Sequence, residues 1–261
     1  LYGAPFGPNR KRDEKGLGIP MDLSLAFHTD AGITRNDTAI GTLMIYSIPD
    51  MDSQMVFPDG VSRLANRDLS DIVMTQIVDD IRIKYDSTWT RRQLMNSMYS
   101  EAARPNVPAI LLELLSHQNF YEMKFGLDPQ FKFDVSRSIY KGMLKFLSSQ
   151  YGFDYVVQPL PPTNFSTDLS LNGEVTLSWK AQVDSTEKTA AAERFILYTR
   201  ENDGGFKNGK IVETNKIKLN NLKPGIIYSY KVTAVNAGGE SFPSEILSVC
   251  WLNNSKSPVL I

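Results

Sequence analysis

Apolar residues recur along this chain with two different periods, and the change from one to the other falls at a run of prolines. Residues 62–85 carry Leu69, Ile72, Val73, Ile77 and Ile81 at three- and four-residue intervals, which predicts an amphipathic helix. Residues 134–152 repeat the pattern with Val135, Ile139, Met143, Leu144 and Leu147. Asp134 stands where such a helix opens and Gly152 where it closes. Three apolar runs of strand length lie around these helices. Residues 21–28 alternate, 41–49 form a β-rich run ended by Pro49, and 107–115 are apolar almost without a break. The last reads as a strand covered on both faces. Helices alternating with buried strands predict an α/β sheet domain with flanking helices over residues 1–156.

Pro159, Pro161 and Pro162 stop helix formation and stiffen the connection that follows. Beyond them the period is two. Val175, Leu177 and Trp179 share one face, Phe195 and Leu197 share another with Tyr198 beside them, and a Pro-Gly turn at 224–225 leads into a long alternating strand. Short strands at this spacing predict an all-β sandwich over residues 157–252, with 253–261 as a tail. The opening prolines, Trp179, Tyr198, "LKPGIIY" from Leu222 to Tyr228, and the following "VTAVNAGGES" and "PSE" resemble a fibronectin type III domain. The resemblance implies that Trp179, Tyr198 and Tyr228 pack in the core. It also implies that Tyr228 makes the corner pinning one sheet to the other. Such modules serve as spacers or interaction platforms.

Composition narrows the function classes. The 261 residues carry a net charge of -1, 42% hydrophobic and 22% charged residues, an ordinary globular balance with room for two domains. Near-neutral charge argues against a nucleic-acid binder, which needs a concentrated basic face. No apolar run approaches the roughly 18 residues of a membrane span. The single cysteine, Cys250, excludes an intrachain disulfide and any multi-cysteine metal site, and leaves export open. A chain opening at Leu1 reads as a processed or truncated product, with a signal segment upstream and further domains at either end.

The candidate chemistry lies in the first domain. Open α/β sheets place their sites at the carboxyl ends of strands, and two such ends stand out: His28-Thr29-Asp30, and Glu113 within an otherwise apolar strand. A carboxylate in such a strand needs a partner or a task. "SLAFHTDA", then "PAILLELLSHQN" with Asn119 six residues beyond Glu113, resemble two motifs of the zinc-dependent N-acetylmuramoyl-L-alanine amidases. These are a Ser-x-His-x-Asn/Asp-Ala strand end and a later Pro-Ala-x-Leu-x-Glu strand. Helices over 64–85 and 134–148 also fall where that family has them. The resemblance implies an amidase-like fold, zinc as cofactor, His28 as a zinc ligand and Glu113 as general base. Asp30 and Asn119 would stand in supporting or substrate-contacting positions. Zinc would lower the pKa of its bound water, and Glu113 would accept the proton and return it to the leaving amine. The implied substrate is the amide between muramic acid and the stem peptide of peptidoglycan, or another cell-surface glycan. The implied location is periplasmic or extracellular.

The chain also departs from that family. Its first two zinc ligands, a His and a Glu, come earlier in the domain, and no Asp-Pro-Gly-His-Gly motif occurs in residues 1–27. Residues 1–156 therefore read as the C-terminal half of an amidase domain, or as one whose site is lost or rebuilt. His117 would face Glu113 only if that stretch were helical, so a loop histidine is its plainer reading. Arg104 is read either as a contact for a substrate carboxylate or as a surface arginine. The charge run over 7–16 reads as a solvated loop or an anionic-glycan contact, and 48–60 as an insertion beside the site. Two rival functions follow: a non-catalytic glycan-binding protein retaining the fold, and a secreted polysaccharide lyase. For the lyase no cluster of Tyr, His and basic residues stands in the sequence.

Overall fold

A computed structural model describes residues 20–34, 36 and 38–253. The charge run at 7–16 and the tail beyond residue 253 lie outside the described residues. The chain divides into two compact units between Asp154 and Tyr155.

The first unit is built on a four-stranded sheet: β1 (Ser24–Asp30), β2 (Thr42–Tyr46), β3 (Arg91–Asn96) and β4 (Ala109–Ser116), in the order β1-β4-β2-β3. β1 runs parallel to β4 and β2 parallel to β3, while β2 is antiparallel to β4, so two strands point each way. Two long helices, α1 (Leu64–Lys84) and, as the last of four, α4 (Pro129–Tyr151), share a core with one face of it. Met44, Ile110 and Leu112 of the sheet meet Val73, Ile77, Ile81, Phe131, Val135 and Ile139 there. Each such side chain contributes about 1.5–3 kcal/mol when removed from water.

The helices meet closely at Gly142, where an added Cβ would lie 2.8 Å from the Cα of Val73. Gly142→Ala must part them, and urea denaturation is expected to show a loss of about 1–3 kcal/mol. Should stability instead rise, as helix propensity alone would have it, the close crossing is wrong.

Several element boundaries differ from the sequence reading. α4 opens at Pro129, with Asp128 accepting a hydrogen bond from the Gln130 N–H, and proline occupies the first turn because its missing donor has no partner there anyway. Asp134 is therefore not a cap but an interior residue, bonded to Lys84 Nζ at 2.8 Å and to the Tyr85 hydroxyl at 2.6 Å. Gly152, with φ of 68°, does end the helix. β1 runs on to Asp30, which puts His28 within the strand rather than at its end. Two short helices escape the periodicity test: α2 (Ser100–Ala103) and α3 (Phe120–Gly126).

The opposite face of the sheet carries a smaller apolar row. Ala26, Leu111, Ile45 and Met95 lie side by side across all four strands. α2 lies against β4 with Ala102 and Ala103 buried. The buried Arg63 fastens it: its guanidinium donates to the carbonyls of Ile48, Ala102, Ala103 and Pro105.

The second unit is a sandwich of antiparallel strands. One sheet holds β5 (Thr163–Leu169), β6 (Val175–Lys180) and, further along, β9 (Lys216–Leu219). The other holds β7 (Arg194–Glu201), β8 (Lys210–Val212), β10 (Ile227–Asn236), β11 (Gly239–Glu240) and β12 (Leu247–Cys250). Period-two alternation sends Val175, Leu177, Trp179, Phe195, Leu197, Tyr230 and Val232 into one core. Trp179 meets Phe195 edge to face at 5.4 Å between centroids. Tyr228 is buried, and its Oη accepts the Lys223 N–H at 3.2 Å, so it makes the expected corner. Tyr198 is a correction. The same alternation that buries Phe195 and Leu197 turns it outward, where its hydroxyl donates to Glu240 at 2.6 Å.

Candidate functional site

One row above the apolar one, the sheet face changes character. His28 on β1, Glu113 on β4 and Leu43 on β2 are direct neighbours across the strands. Paired strands carry opposite residues on the same face, so His28 and Glu113 project together. Each flank of this row has a β-bulge. β4 spends one extra residue between Glu113 and Ser116 against β1, and β3 spends one between Arg91 and Leu94 against β2. Bulges re-aim side chains. Here they frame Glu113 at the end of the sheet where β1 and β4 finish and β2 and β3 begin.

The Glu113 Oε2 is buried and makes no hydrogen bond among the described residues. Burial pushes its carboxyl above the usual glutamate range, and Asp30 pushes it the same way, against the pull of His28, Arg92 and His117. A half-buried, underused carboxylate with a raised pKa is what proton-transfer chemistry requires.

Two structures bracket it. On one side lies Glu101 of α2, whose Oε1 is 4.0 Å from the His28 Nε2. On the other, Asp30 and Arg92 form an ion pair at 2.6 Å. Arg92 holds the Asp30 carboxyl below its ordinary range, helped by the Ala31 N–H at 2.7 Å. Asp30 makes no hydrogen bond to His28 among the described residues; it ties β3 to β1. Neither Glu101 nor Arg92 was singled out from sequence, because the contact each makes is with a residue more than sixty positions away.

His117 follows the end of β4 and makes no hydrogen bond to Glu113 among the described residues. Its Nδ1 lies 3.2 Å from Thr29 Oγ1, and its N–H donates to the Asp30 carbonyl. Arg104 is an exposed residue capping α2, with its charge felt by Glu101. Asn119 is buried and fully engaged. Its side chain accepts from the Glu122 N–H as the cap of α3 and donates to the Thr38 carbonyl and Thr34 Oγ1, clamping the segment that follows β1. Residues 48–60 follow β2 and lie toward the entry end of β4, away from Glu113, because β2 runs opposite to β4. They are not beside the site.

Glu122 is a third residue that the sequence does not single out. It is fully buried, with Oε1 accepting the Gly41 N–H and Oε2 the Ser116 N–H, both at 2.6 Å. Burial raises its pKa, opposed by the N–H groups of Gly41, Ser116 and Ile40. The Asn-x-x-Glu spacing at 119–122 marks a helix start, though this glutamate reaches across to β2 and β4 instead of back to the cap. Glu122→Gln turns an amide NH2 toward one of these donors. The expected cost is about 1–3 kcal/mol, with faster amide exchange at Gly41 or Ser116; unchanged exchange at both would contradict the clamp.

A catalytic zinc takes three protein ligands and a water. Among the described residues no three His, Cys, Asp or Glu side chains converge on a point that would hold a metal. His28 and Glu101 supply two donors, so the described donor set falls short of that site.

The fibronectin type III family model matches residues 160–249. That span forms a fibronectin type III domain. No curated protein matches the chain. Among solved structures, the chain is similar to the twitchin kinase region from C. elegans, at 21% identity over 39% of this chain and 18% of that one, with a TM-score of 0.34. It is also similar to the chicken CNTN1 FN1-FN3 domains, at 20% identity over 37% of this chain and 33% of that one, TM-score 0.32. The FN5 domain of Drosophila Lar matches at 18% identity over 37% of this chain and 99% of its own length, TM-score 0.29. The chain thus spans less than a fifth of the first structure and a third of the second. The fibronectin type III domain lies wholly within the second unit, and no helix among the described residues is long and apolar enough to cross a membrane.

Proposed function

We propose that the first unit is an amide hydrolase of the N-acetylmuramoyl-L-alanine amidase type, exported and acting on peptidoglycan, with Glu113 as its proton acceptor. The observation that carries this reading is the row His28–Glu113: a histidine and a half-buried carboxylate, its buried Oε2 without a hydrogen bond among the described residues, side by side on a sheet face bounded by α2 and the Asp30–Arg92 pair. In this reading Glu113 takes the proton of the attacking water and returns it to the leaving amine. Asp30 and Arg92 hold the two outer strands in place around it, and Asn119 and Glu122 hold the loop after β1. His28 has the place of one zinc ligand, with Glu101 the donor beside it. The described donors do not complete a zinc site.

A second reading is a non-catalytic glycan-binding unit. The two are separated by incubating the chain with intact peptidoglycan, with and without added Zn2+, and measuring release of stem peptide with a free N-terminal alanine. Retention of zinc after dialysis is measured alongside, for the chain and for His28→Ala. Zinc retention that depends on His28, with release, supports the hydrolase. Pelleting with peptidoglycan without release leaves the binding reading.

A further inference from the structure

The outer face of the larger sheet in the fibronectin type III domain holds an arrangement that the proposed hydrolase does not use. Tyr198 and Arg200 project outward from β7, and their β10 partners are Lys231 and Ser229. The loop after β7 brings Phe206 over them. The Lys231 Nζ lies 4.5 Å from the centre of the Phe206 ring and 5.3 Å from that of Tyr198, and the Arg200 guanidinium lies 5.2 Å from Phe206. Two cations therefore share one phenyl ring. Among the described residues neither Arg200 nor Lys231 enters an ion pair, and the buried Arg200 Nε has no hydrogen-bond partner. The nearby carboxylate, Glu240, accepts the hydroxyls of Tyr198 and Thr233 on its Oε1, each at 2.6 Å, and enters no ion pair among the described residues. Glu201, at the end of β7, is held by Lys207 at 2.7 Å.

Like charges gathered on one ring repel each other, and stacking offsets only part of that cost. An incoming carboxylate meets a planar fork and a point charge together, a combination that strengthens hydrogen bonding to anions. The surroundings are those of a protein-binding surface. Arginine and aromatic residues are enriched at such interfaces, and Ile211 stands 55% exposed on β8, a three-residue edge strand beside Ile196. A sugar ring would need a bare aromatic face, whereas the Phe206 ring is already capped by both cations.

The geometry points to this face as a docking site for an acidic peptide segment of a partner protein, with Arg200 and Lys231 receiving its carboxylates. The inference is independent of the hydrolase reading. It is tested on the full chain by fluorescence anisotropy with labelled poly-L-glutamate, and with polygalacturonate as the anionic glycan arm. Arg200→Gln and Lys231→Gln are expected to weaken poly-L-glutamate binding about five-fold or more, and added salt to weaken it further. Lys218→Gln, which removes a charge from the other sheet where it pairs with Glu174, should leave binding unchanged. Thermal melts confirm that each variant is folded. Equal loss in all three variants, or no binding by the parent chain, overturns the assignment. Tighter binding of polygalacturonate with the same dependence on Arg200 and Lys231 overturns the peptide as occupant.

Discussion

Glu113→Gln is expected to lower stem-peptide release by about 10²–10⁴-fold, the range over which a positioned proton acceptor contributes. The amide keeps the shape of the side chain and removes its basicity, so binding to peptidoglycan should persist while turnover falls. The pH dependence carries a second signature. In the proposed hydrolase ionised Glu113 is the active form, and burial together with Asp30 raises its pKa above the glutamate value of 4.5. Release should therefore fail on the acid side at a higher pH than an ordinary glutamate would impose. Stability runs in the opposite direction. Because the folded state binds this proton more tightly than the unfolded chain, Glu113 costs nothing below the ordinary value. Its cost then builds as pH rises through the raised one. Glu113→Gln abolishes that dependence, so melting curves across this window should converge on a flatter profile. A variant that loses release but keeps the parent's pH–stability curve would show that Glu113 is not a carboxyl whose pKa burial raises.

The largest structural effect is expected at Lys141, on α4. Its ammonium is buried and lies 2.6 Å from Asp80 Oδ2 on α1, where the Ser138 hydroxyl also donates at 2.6 Å. Lys141→Met leaves Asp80 charged, buried and short of its cation, with an expected loss of about 3–5 kcal/mol in urea denaturation. The double variant Asp80→Leu with Lys141→Met should recover most of it, since two apolar side chains of similar volume replace the pair. Recovery is the decisive arm: if the double variant is no more stable than the single one, the loss came from packing rather than from the stranded carboxylate.

Sequence periodicity located what packing determines and missed what distant contacts determine. Leu69, Val73, Ile77 and Ile81 declare α1 because one stripe must face the sheet, and the apolar run around Ile110 declares β4 for the same reason. β3 was illegible because its "RRQLMN" alternates poorly: its two arginines are spent on Asp71 and Asp30. The start of α4 was set six residues late because Asp134 resembles a cap, while the true cap, Asp128, is marked by the proline that follows it. At the site, Glu113 was legible because an acid in an apolar strand is an anomaly in itself. Glu101, Arg92 and Glu122 are ordinary polar residues by composition, and only the fold brings Glu101 to His28, Arg92 to Asp30 and Glu122 to Gly41 and Ser116. Tyr198 shows the limit of the resemblance to fibronectin type III domains: motif position placed it on the right strand, and strand alternation decides its side.

The mixed direction of the four-stranded sheet has a consequence for how this domain can change. Segments 31–41, 85–90 and 117–119 leave β1, enter β3 and leave β4 at the same rim, beside Glu113. Their exposed positions can be exchanged without altering a strand, whereas Gly41, Trp89 and Asn119 within them are fixed by the Glu122 clamp, the core and the cap of α3. Segments 47–63 and 97–108 open on the opposite rim, where Arg63 ties the first to the second. A library confined to the exposed positions of the first three segments would search new specificities around Glu113, with Gly41, Trp89 and Asn119 kept to hold the fold.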